Sequence, residues 1–113
     1  MRGRNADTRT DAGLLPFGVA VVSGASMVPT YHDGDRLLVR YGAKVRVGDA
    51  VLARDPRMPG RILVKRAARR EPGGWWLLAD NSYAHGDSRQ FGAVPDDLVI
   101  ARVLVRLRRA KRN

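Results

Sequence analysis

Residues 61–66 read Arg-Ile-Leu-Val-Lys-Arg, a short run of apolar and β-branched residues with one lysine inside it. Such a run predicts a β-strand of about six residues. Side chains alternate across a strand, so Lys65 shares its face with Leu63 and Ala67. That setting would remove water from the ammonium group, and desolvation lowers a lysine pKa. The alternative is a strand at a sheet edge, where the amine of Lys65 would extend to solvent.

Similar short runs recur along the chain, separated by Gly-Asp and Pro-Gly turn signals, and no helical period is convincing. The pattern therefore predicts an all-β fold. The adjacent Trp75 and Trp76 would face opposite sides of one strand, which makes one a core residue and the other partly exposed. The predicted strands are Gly18–Val22, Arg36–Tyr41, Ala50–Arg54, Arg61–Ala67, Trp75–Ala79 and Val99–Leu107.

Residues 22–30, Val-Ser-Gly-Ala-Ser-Met-Val-Pro-Thr, place the hydroxyl of Ser26 between small residues and a proline. Gly24 and Ala25 leave room for a bulky backbone to come close. A lysine without its proton can take one from a serine hydroxyl, which makes this segment a candidate partner for the strand lysine. Small and turn-forming residues also make ordinary loops. Met27 would either line a pocket or fill the core.

A third segment, residues 79–95, is a polar loop rich in turn residues. The three segments, in this order, resemble the signal peptidase-like (S24/S26) family of serine proteases. The boxes of that family are a Ser-Met-x-Pro segment, a strand lysine before Arg, and a Gly-Asp-Asn to Asp-Ser-Arg loop. The resemblance covers about residues 21–103 and implies a small coiled antiparallel β-sheet domain of the signal peptidase/LexA type.

The resemblance implies that Ser26 is the nucleophile and Lys65 the general base, a Ser-Lys dyad in place of a Ser-His-Asp triad. An oxyanion would need donors, and the backbone N–H of Ser26 is the first candidate. Some relatives carry a hydroxyl donor where this chain has Gly24, so a second donor has to come from elsewhere. No cofactor and no metal is implied.

Around the dyad, the resemblance implies a set of supporting residues. Asp87 and Arg89 look like the internal ion pair that braces the polar loop, and Asp80 and Asn81 look like its turn-forming start. The full supporting set is Gly24, Ala25, Met27, Asp80, Asn81, His85, Asp87, Ser88 and Arg89.

His85 is a departure from the family pattern, because many relatives have a serine at this place that hydrogen-bonds the catalytic lysine. Three roles are open for it. His85 orients Lys65, serves as an alternative base to Ser26, or is an exposed loop histidine.

Composition is that of a small one-domain protein. The chain has 113 residues, no cysteine and two histidines, which excludes a disulfide framework and a thiolate metal site. The expected organisation is a flexible N-terminal tail over 1–12, a catalytic domain over 13–107 and a basic C-terminal tail over 108–113. The apolar stretch 13–22 is about half of the ~20 residues needed to cross a bilayer, so no integral span is expected. A cytoplasmic location is expected, with peripheral membrane docking as the alternative.

The net charge of +10, from 21 Lys and Arg against 11 Asp and Glu, favours a second class of function. A basic chain is attracted to nucleic acid and to anionic lipid. No nucleic-acid-binding motif is present, so this alternative is a non-catalytic basic peptide- or nucleic-acid-binding module.

The substrate that the resemblance implies is a peptide bound in extended form. A short, arginine-rich chain without an anchor most resembles the members of the family that mature nickel-type superoxide dismutase by removing its N-terminal propeptide. The precursor of that dismutase is therefore one expected partner. The alternative is a general signal (leader) peptidase docked at the membrane.

Overall fold

The computed structural model describes residues 8–11 and 16–111, with side chains over 16–111. Within these residues, eight strands and one short helix follow one another in the order β1 to β6, α1, β7, β8, with a single 3-10 turn at Asp96–Leu98. The elements are β1 Thr8–Asp11, β2 Phe17–Val22, β3 Arg36–Tyr41, β4 Ala50–Asp55, β5 Met58–Glu71, β6 Gly74–Leu78, α1 Ser88–Phe91, β7 Val94–Pro95 and β8 Val99–Arg108.

All eight strands belong to one antiparallel sheet with the order β1-β2-β3-β8-β4-β5-β6-β7. β8, the last strand in the chain, lies between β3 and β4 and joins the two halves of the sheet. The sheet coils so far that β1 approaches β5, with which it does not pair. Register shifts in several pairs accompany this coiling, since a bulge bends its strand and increases its twist. The predicted all-β, coiled antiparallel fold is confirmed.

The core consists of two clusters on the two faces of the central strands. Val64 of β5 stands opposite Leu52 of β4 in the first cluster, and Ala67 belongs to the second. The first cluster is Ala20, Val22, Met27, Leu37, Val39, Leu52, Ile62, Val64 and Ala101. The second is Val51, Ala53, Ala67, Trp75, Leu77 and Val94. β5 is therefore buried on both faces along its middle, and Lys65 lies within this buried stretch.

The six predicted strands are all present, and β5 is longer than expected at both ends. Trp75 is buried and Trp76 is partly exposed, as the alternation predicted. The expectation of no helix is wrong at α1, which a capping box starts: the Asp87 carboxylate accepts from the backbone at the third helical position, and the Gln90 side chain accepts from the Asp87 N–H. A helix of four residues carries too little apolar periodicity to be seen in a sequence.

The two predicted tails overlap parts of the chain that the structure describes. The N-terminal tail over 1–12 includes β1, which pairs with β2 from Thr8 to Asp11. At the other end β8 continues to Arg108, and the Ala110 N–H donates to Asp35 at 2.8 Å. Residues 1–7, 12–15, 112 and 113 of the predicted tails and domain start lie outside the described residues. Within the described part of the chain, no helix is long and apolar enough to cross a bilayer.

Candidate active site

The segment that carries Ser26 connects β2 to β3 and is anchored by its neighbour. The Met27 side chain is fully buried in the first core cluster, and the Met27 carbonyl accepts a hydrogen bond from the Tyr31 N–H at 2.8 Å. Ser26 itself is partly exposed. The structure thus gives Met27 the core position, one of its two sequence alternatives. Burial of Met27 fixes the loop while the adjacent hydroxyl-bearing residue stays accessible.

Gly24 enters this segment with a φ of +91°, a backbone region that side-chain-bearing residues rarely adopt. Its N–H donates to the Asp33 carboxylate at 2.9 Å. A Cβ added at Gly24 would meet no atom within 4 Å, so the backbone conformation and not a lack of space requires glycine here. The exposed Ala25 follows directly. Small residues therefore shape an open approach to Ser26.

Lys65 lies in the interior of the sheet. It stands opposite Val51 in the β4–β5 pair, and only 2% of its surface is exposed. Leu63 and Ala67, on the same face of β5, are also buried. β6 pairs with β5 only from Arg66 onward, but Lys65 is almost fully buried, so the alternative in which its amine extends to solvent is wrong. The expected desolvation of this lysine by its apolar neighbours is what the structure shows.

Asn81 holds the Ser26 segment through two hydrogen bonds. Its backbone N–H donates to the Ser26 carbonyl at 2.9 Å, and its side-chain amide donates to the Ala25 carbonyl at 3.0 Å. The Asn81 amide oxygen also accepts from the Tyr83 N–H at 3.0 Å, which closes a turn in the polar loop. Asn81 is thus more than the start of a turn, because it ties two parts of the chain together that are far apart in sequence.

Asp80 makes the second half of this connection. Its carboxylate accepts from the Thr30 hydroxyl at 2.6 Å and from two nitrogens of Arg66 at 2.6 and 3.2 Å. Arg66 also donates to the Gly48 carbonyl at 3.1 Å. Because Arg66 directly follows Lys65 on β5, Asp80 and Asn81 link the end of the Ser26 segment to the strand position beside the buried lysine.

Opposing influences act on the Asp80 carboxyl. Burial raises its pKa, but hydrogen bonds from Arg66 and Thr30 outweigh that influence, and the pKa lies below the ordinary value. Hydrogen bonding to Asp80 raises the pKa of Arg66 in turn. Both partners are therefore charged near neutral pH, and the link has the strength of a charge-assisted hydrogen bond.

Asp87 braces the far end of the polar loop from a fully buried position. Its carboxylate accepts from the Ala79 N–H at 2.8 Å and from the Arg89 N–H at 3.0 Å. The next residue, Ser88, accepts from the Leu77 N–H through its hydroxyl at 2.8 Å. These bonds fasten the start of α1 to the end of β6, so the loop between them has two fixed ends.

The predicted ion pair between Asp87 and Arg89 is present, with a nitrogen–oxygen distance of 3.0 Å. Arg89 also donates to the carbonyls of Ala84 and Ser82 at 2.8 and 3.4 Å. Burial raises the pKa of Asp87, but bonds from Arg89 and the Ala79 N–H dominate and hold the pKa below its ordinary value. The arginine therefore gathers the loop around one buried carboxylate.

His85 lies at the exposed rim of this loop. Its neighbours Ala84 and Gly86 are both held, the first by Arg89 and the second by the Gln90 side chain at 2.8 Å. Of the three roles left open by the sequence, exposure favours the loop histidine. Among the described residues, no group of three or more potential ligand side chains is placed to bind a metal ion.

The structure joins some predicted residues and adds others. Gly24, Ala25 and Met27 surround Ser26 in one loop, and Asp87, Ser88 and Arg89 share one brace; Asp80 and Asn81 connect the loop of Ser26 to β5. Three contributors were missed by sequence reasoning: Thr30, Arg66 and Gln90. A capping-box spacing from Asp87 to Gln90 could have revealed the last, whereas the Arg66–Asp80 pair joins different elements and leaves no local pattern.

A family comparison covers most of the chain. The Peptidase S24-like family model matches residues 16–103, which includes every predicted site residue. The chain therefore belongs to the Peptidase S24-like family. Membership of this family supports peptidase activity. The resemblance to signal peptidase-like proteases that the sequence suggested is confirmed at the level of the family.

Known relatives are proteases of an organelle membrane. The chain is 35% identical to the mitochondrial ATP-independent inner membrane protease subunit 1a of Arabidopsis thaliana, over 76% of this chain and 67% of the relative. It is 32% identical to the mitochondrial inner membrane protease subunit 1 of Schizosaccharomyces pombe, over 80% of this chain and 73% of the relative. It is 28% identical to the mitochondrial inner membrane protease subunit 1 of Homo sapiens, over 80% of this chain and 69% of the relative.

These relatives correct one expectation. A cytoplasmic location was predicted from the sequence, but the relatives are each named for the mitochondrial inner membrane. The cytoplasmic prediction is therefore wrong. It rested on the short apolar stretch 13–22 and the lack of cysteine, and neither feature reports on where a catalytic domain works.

Proposed function

We propose that this chain is a serine endopeptidase in which Ser26 is the nucleophile and Lys65 is the general base. The connection made by Asp80 and Asn81 carries the proposal. Asn81 holds the backbone of Ser26, and Asp80 holds Arg66, the neighbour of the buried Lys65. A dyad built from residues 39 positions apart needs such a tertiary link.

In the proposed mechanism, the Nζ atom of Lys65 accepts the proton of the Ser26 hydroxyl as Oγ attacks the carbonyl carbon of the scissile bond. The tetrahedral intermediate collapses when the C–N bond breaks, and the leaving amine takes the proton from Lys65. An ester between the substrate acyl group and Ser26 remains. Water then attacks the ester carbonyl carbon and gives a proton to Lys65. The bond between that carbon and Oγ breaks, the peptide leaves with a new carboxyl group, and Lys65 returns the proton to Oγ.

Burial supports the role of Lys65 as a base. Loss of water disfavours the charged form of an amine, and a neutral amine is the form that accepts a proton. Lys65 is 2% exposed and stands opposite Val51 between strands.

Donors for the oxyanion come from the same loop in this proposal. The N–H groups of Gly24 and Val28 already donate, to Asp33 and to the Ala25 carbonyl. We assign the N–H of Ser26 as the first donor, which is the candidate that the sequence analysis named.

The proposed substrate is an extended peptide at the N-terminal end of a precursor. The relatives named for an inner membrane favour a leader that is removed at a membrane surface, in line with signal peptidase-like activity. A narrower candidate is the precursor of nickel-type superoxide dismutase, which the sequence resemblance suggested. The exported precursor with its leader and the dismutase precursor can be tested side by side in one cleavage assay.

The test is cleavage of both precursors by the purified chain, followed by mass spectrometry of the products. Ser26→Ala and Lys65→Ala should each abolish cleavage, whereas His85→Ala should retain it because that side chain is exposed. Matched controls are Ser82→Ala and Lys44→Ala, which change an exposed serine and an exposed lysine. Thermal unfolding of every variant separates a lost base from a lost fold.

Retained cleavage by a folded Lys65→Ala chain would contradict the proposed dyad. Loss of cleavage in His85→Ala would indicate that His85 is the base. If neither precursor is cut but short DNA is bound with a steep salt dependence, the basic binding module becomes the better account.

A further inference from the structure

A hollow of about 460 Å³ lies where the end of β8 meets the start of β3. Four of its five lining residues are cations, and we name this feature the basic hollow. The lining residues are Arg36, Arg108, Arg109, Ala110 and Lys111. No predicted active-site residue lines it.

The backbone holds these cations together. Arg36 and Arg108 stand directly opposite each other in the β3–β8 pair. Beyond the strand, the Ala110 N–H donates to the fully buried Asp35 at 2.8 Å, and Ala110 packs so tightly on Gly34 that a Cβ there would lie 2.8 Å from the Ala110 Cβ. The backbone of the segment that supplies Arg109 and Lys111 is therefore fixed next to β3.

Nothing acidic compensates this charge among the described residues, where none of the four cations takes part in an ion pair. The nearest acid in sequence, Asp35, is already engaged: its carboxylate accepts from the N–H groups of His32 and Ala110 and lies 3.8 Å from Arg106. Like charges opposite each other in a sheet are destabilising. A bound anion would relieve that repulsion.

We propose that the basic hollow is a phosphate-binding site. Several guanidinium groups that line one hollow can donate to several oxygens of one phosphate group, which offers more acceptor oxygens and more negative charge than a single carboxylate. The phosphate belongs either to a soluble compound such as pyrophosphate or to the headgroup of an anionic lipid. This inference does not depend on the peptidase chemistry.

One feature of β8 separates these two sources. The strand exposes Leu104, Val105 and Leu107, by 38%, 51% and 53% of their surface, next to the arginines of the hollow. Apolar side chains beside a phosphate site would enter the boundary between headgroups and acyl chains, whereas a soluble phosphate would not touch them.

The experiment uses the full chain in two arms, calorimetric titration with pyrophosphate and co-sedimentation with vesicles of phosphatidylcholine containing phosphatidylglycerol. Arg36→Gln/Arg108→Gln should weaken binding about thirtyfold in the vesicle arm, and should weaken pyrophosphate binding as well. The matched control is Lys44→Gln/Arg46→Gln, which removes the same charge from the exposed loop between β3 and β4.

Val105→Ser/Leu107→Ser should reduce vesicle binding and leave pyrophosphate binding unchanged if the source is a lipid. Equal losses in the two charge variants would overturn the site, since attraction would then follow net charge alone. Absence of binding in both arms would overturn it too. Ser26→Ala should bind like the parent chain, so a failed peptidase and a failed phosphate site give different results.

Discussion

Two groups of arginines in this small protein behave in opposite ways. Arg66 and Arg89, around the candidate active site, each hold a carboxylate at 3.0 Å or less. Arg36 and Arg108, at the basic hollow, face each other across a strand pair. The same side chain is a structural brace where an acid lies beside it and a free charge where none does. Net charge alone cannot distinguish the two.

The comparison explains how a chain of net charge +10 keeps a defined loop at its site. In the polar loop, Asp80 and Asp87 bind three segments together. The charges of their partners Arg66 and Arg89 are neutralised in these pairs. The excess positive charge is left elsewhere, at the end of β8 among other places. Substitutions in the two groups of arginines and in their acids should therefore differ in size and in sign.

The largest expected effect is at the buried Asp87. Asp87→Ala removes the acceptor of the Ala79 and Arg89 N–H groups and leaves the Arg89 guanidinium without its partner. We expect a loss of about 3 kcal/mol in the free energy of unfolding, because deleting the fully buried carboxylate leaves the N–H groups that donate to it without their acceptor. Urea denaturation measures it. The control Asp96→Ala, in the exposed pair with Arg70, should leave stability unchanged; equal losses would contradict the contrast.

Asp80→Asn should have the next largest effect. The amide keeps the shape of the carboxylate but not its charge, so the bonds from Thr30 and Arg66 weaken. We expect about 2 kcal/mol of lost stability and a lower rate of peptide cleavage, since the Ser26 segment loses its link to β5. Cleavage kinetics on the folded variant measure the second effect. An unchanged rate would show that the link does not position the site.

The pH dependence of stability follows from the same two acids. In the folded chain, the pKa values of Asp80 and Asp87 lie below the ordinary carboxyl value of about 4. Their stabilisation is therefore fully present above that value and is lost as the pH falls through the folded pKa. Urea unfolding at several pH values should show falling stability on acidification, and the dependence should be shallower in Asp80→Asn. Greater stability in acid would reverse the sign and refute the assignment.

The smallest effect is expected at the other group of arginines. Arg36→Gln/Arg108→Gln relieves the repulsion of two opposed cations and should stabilise the chain by roughly 0.5 kcal/mol, with cleavage of a short peptide unchanged. Denaturation in low salt measures it best, because salt screens the repulsion. A clear loss of stability would mean that these arginines are braces like Arg66.

Sequence reasoning identified the strands because alternation and turn residues are local signals. Arg36–Tyr41 was predicted with the bounds that the structure has, and Ala50–Arg54 is one residue short. It missed β1, whose four polar residues Thr-Arg-Thr-Asp form a strand only by pairing with β2. It missed α1 because that helix depends on a cap and not on apolar periodicity.

The candidate site divides in the same way. The ion pair of Asp87 and Arg89 was expected because the family resemblance implied it, and its two members lie close together in the sequence. The link from Asp80 to Arg66 and Thr30 was not, since it spans three elements. The roles of Ser26 and Lys65 stay a prediction that cleavage assays can decide.

By itself, the sequence determined that this protein is built from β-strands, that Lys65 shares a strand face with apolar residues, and that a serine loop and a polar loop flank it. Those properties depend on neighbours within a few positions. Only the tertiary structure decided that β8 inserts between β3 and β4, that Asn81 holds Ser26, and that four cations gather in one hollow. These contacts join residues tens of positions apart, and their geometry exists only once the sheet has coiled.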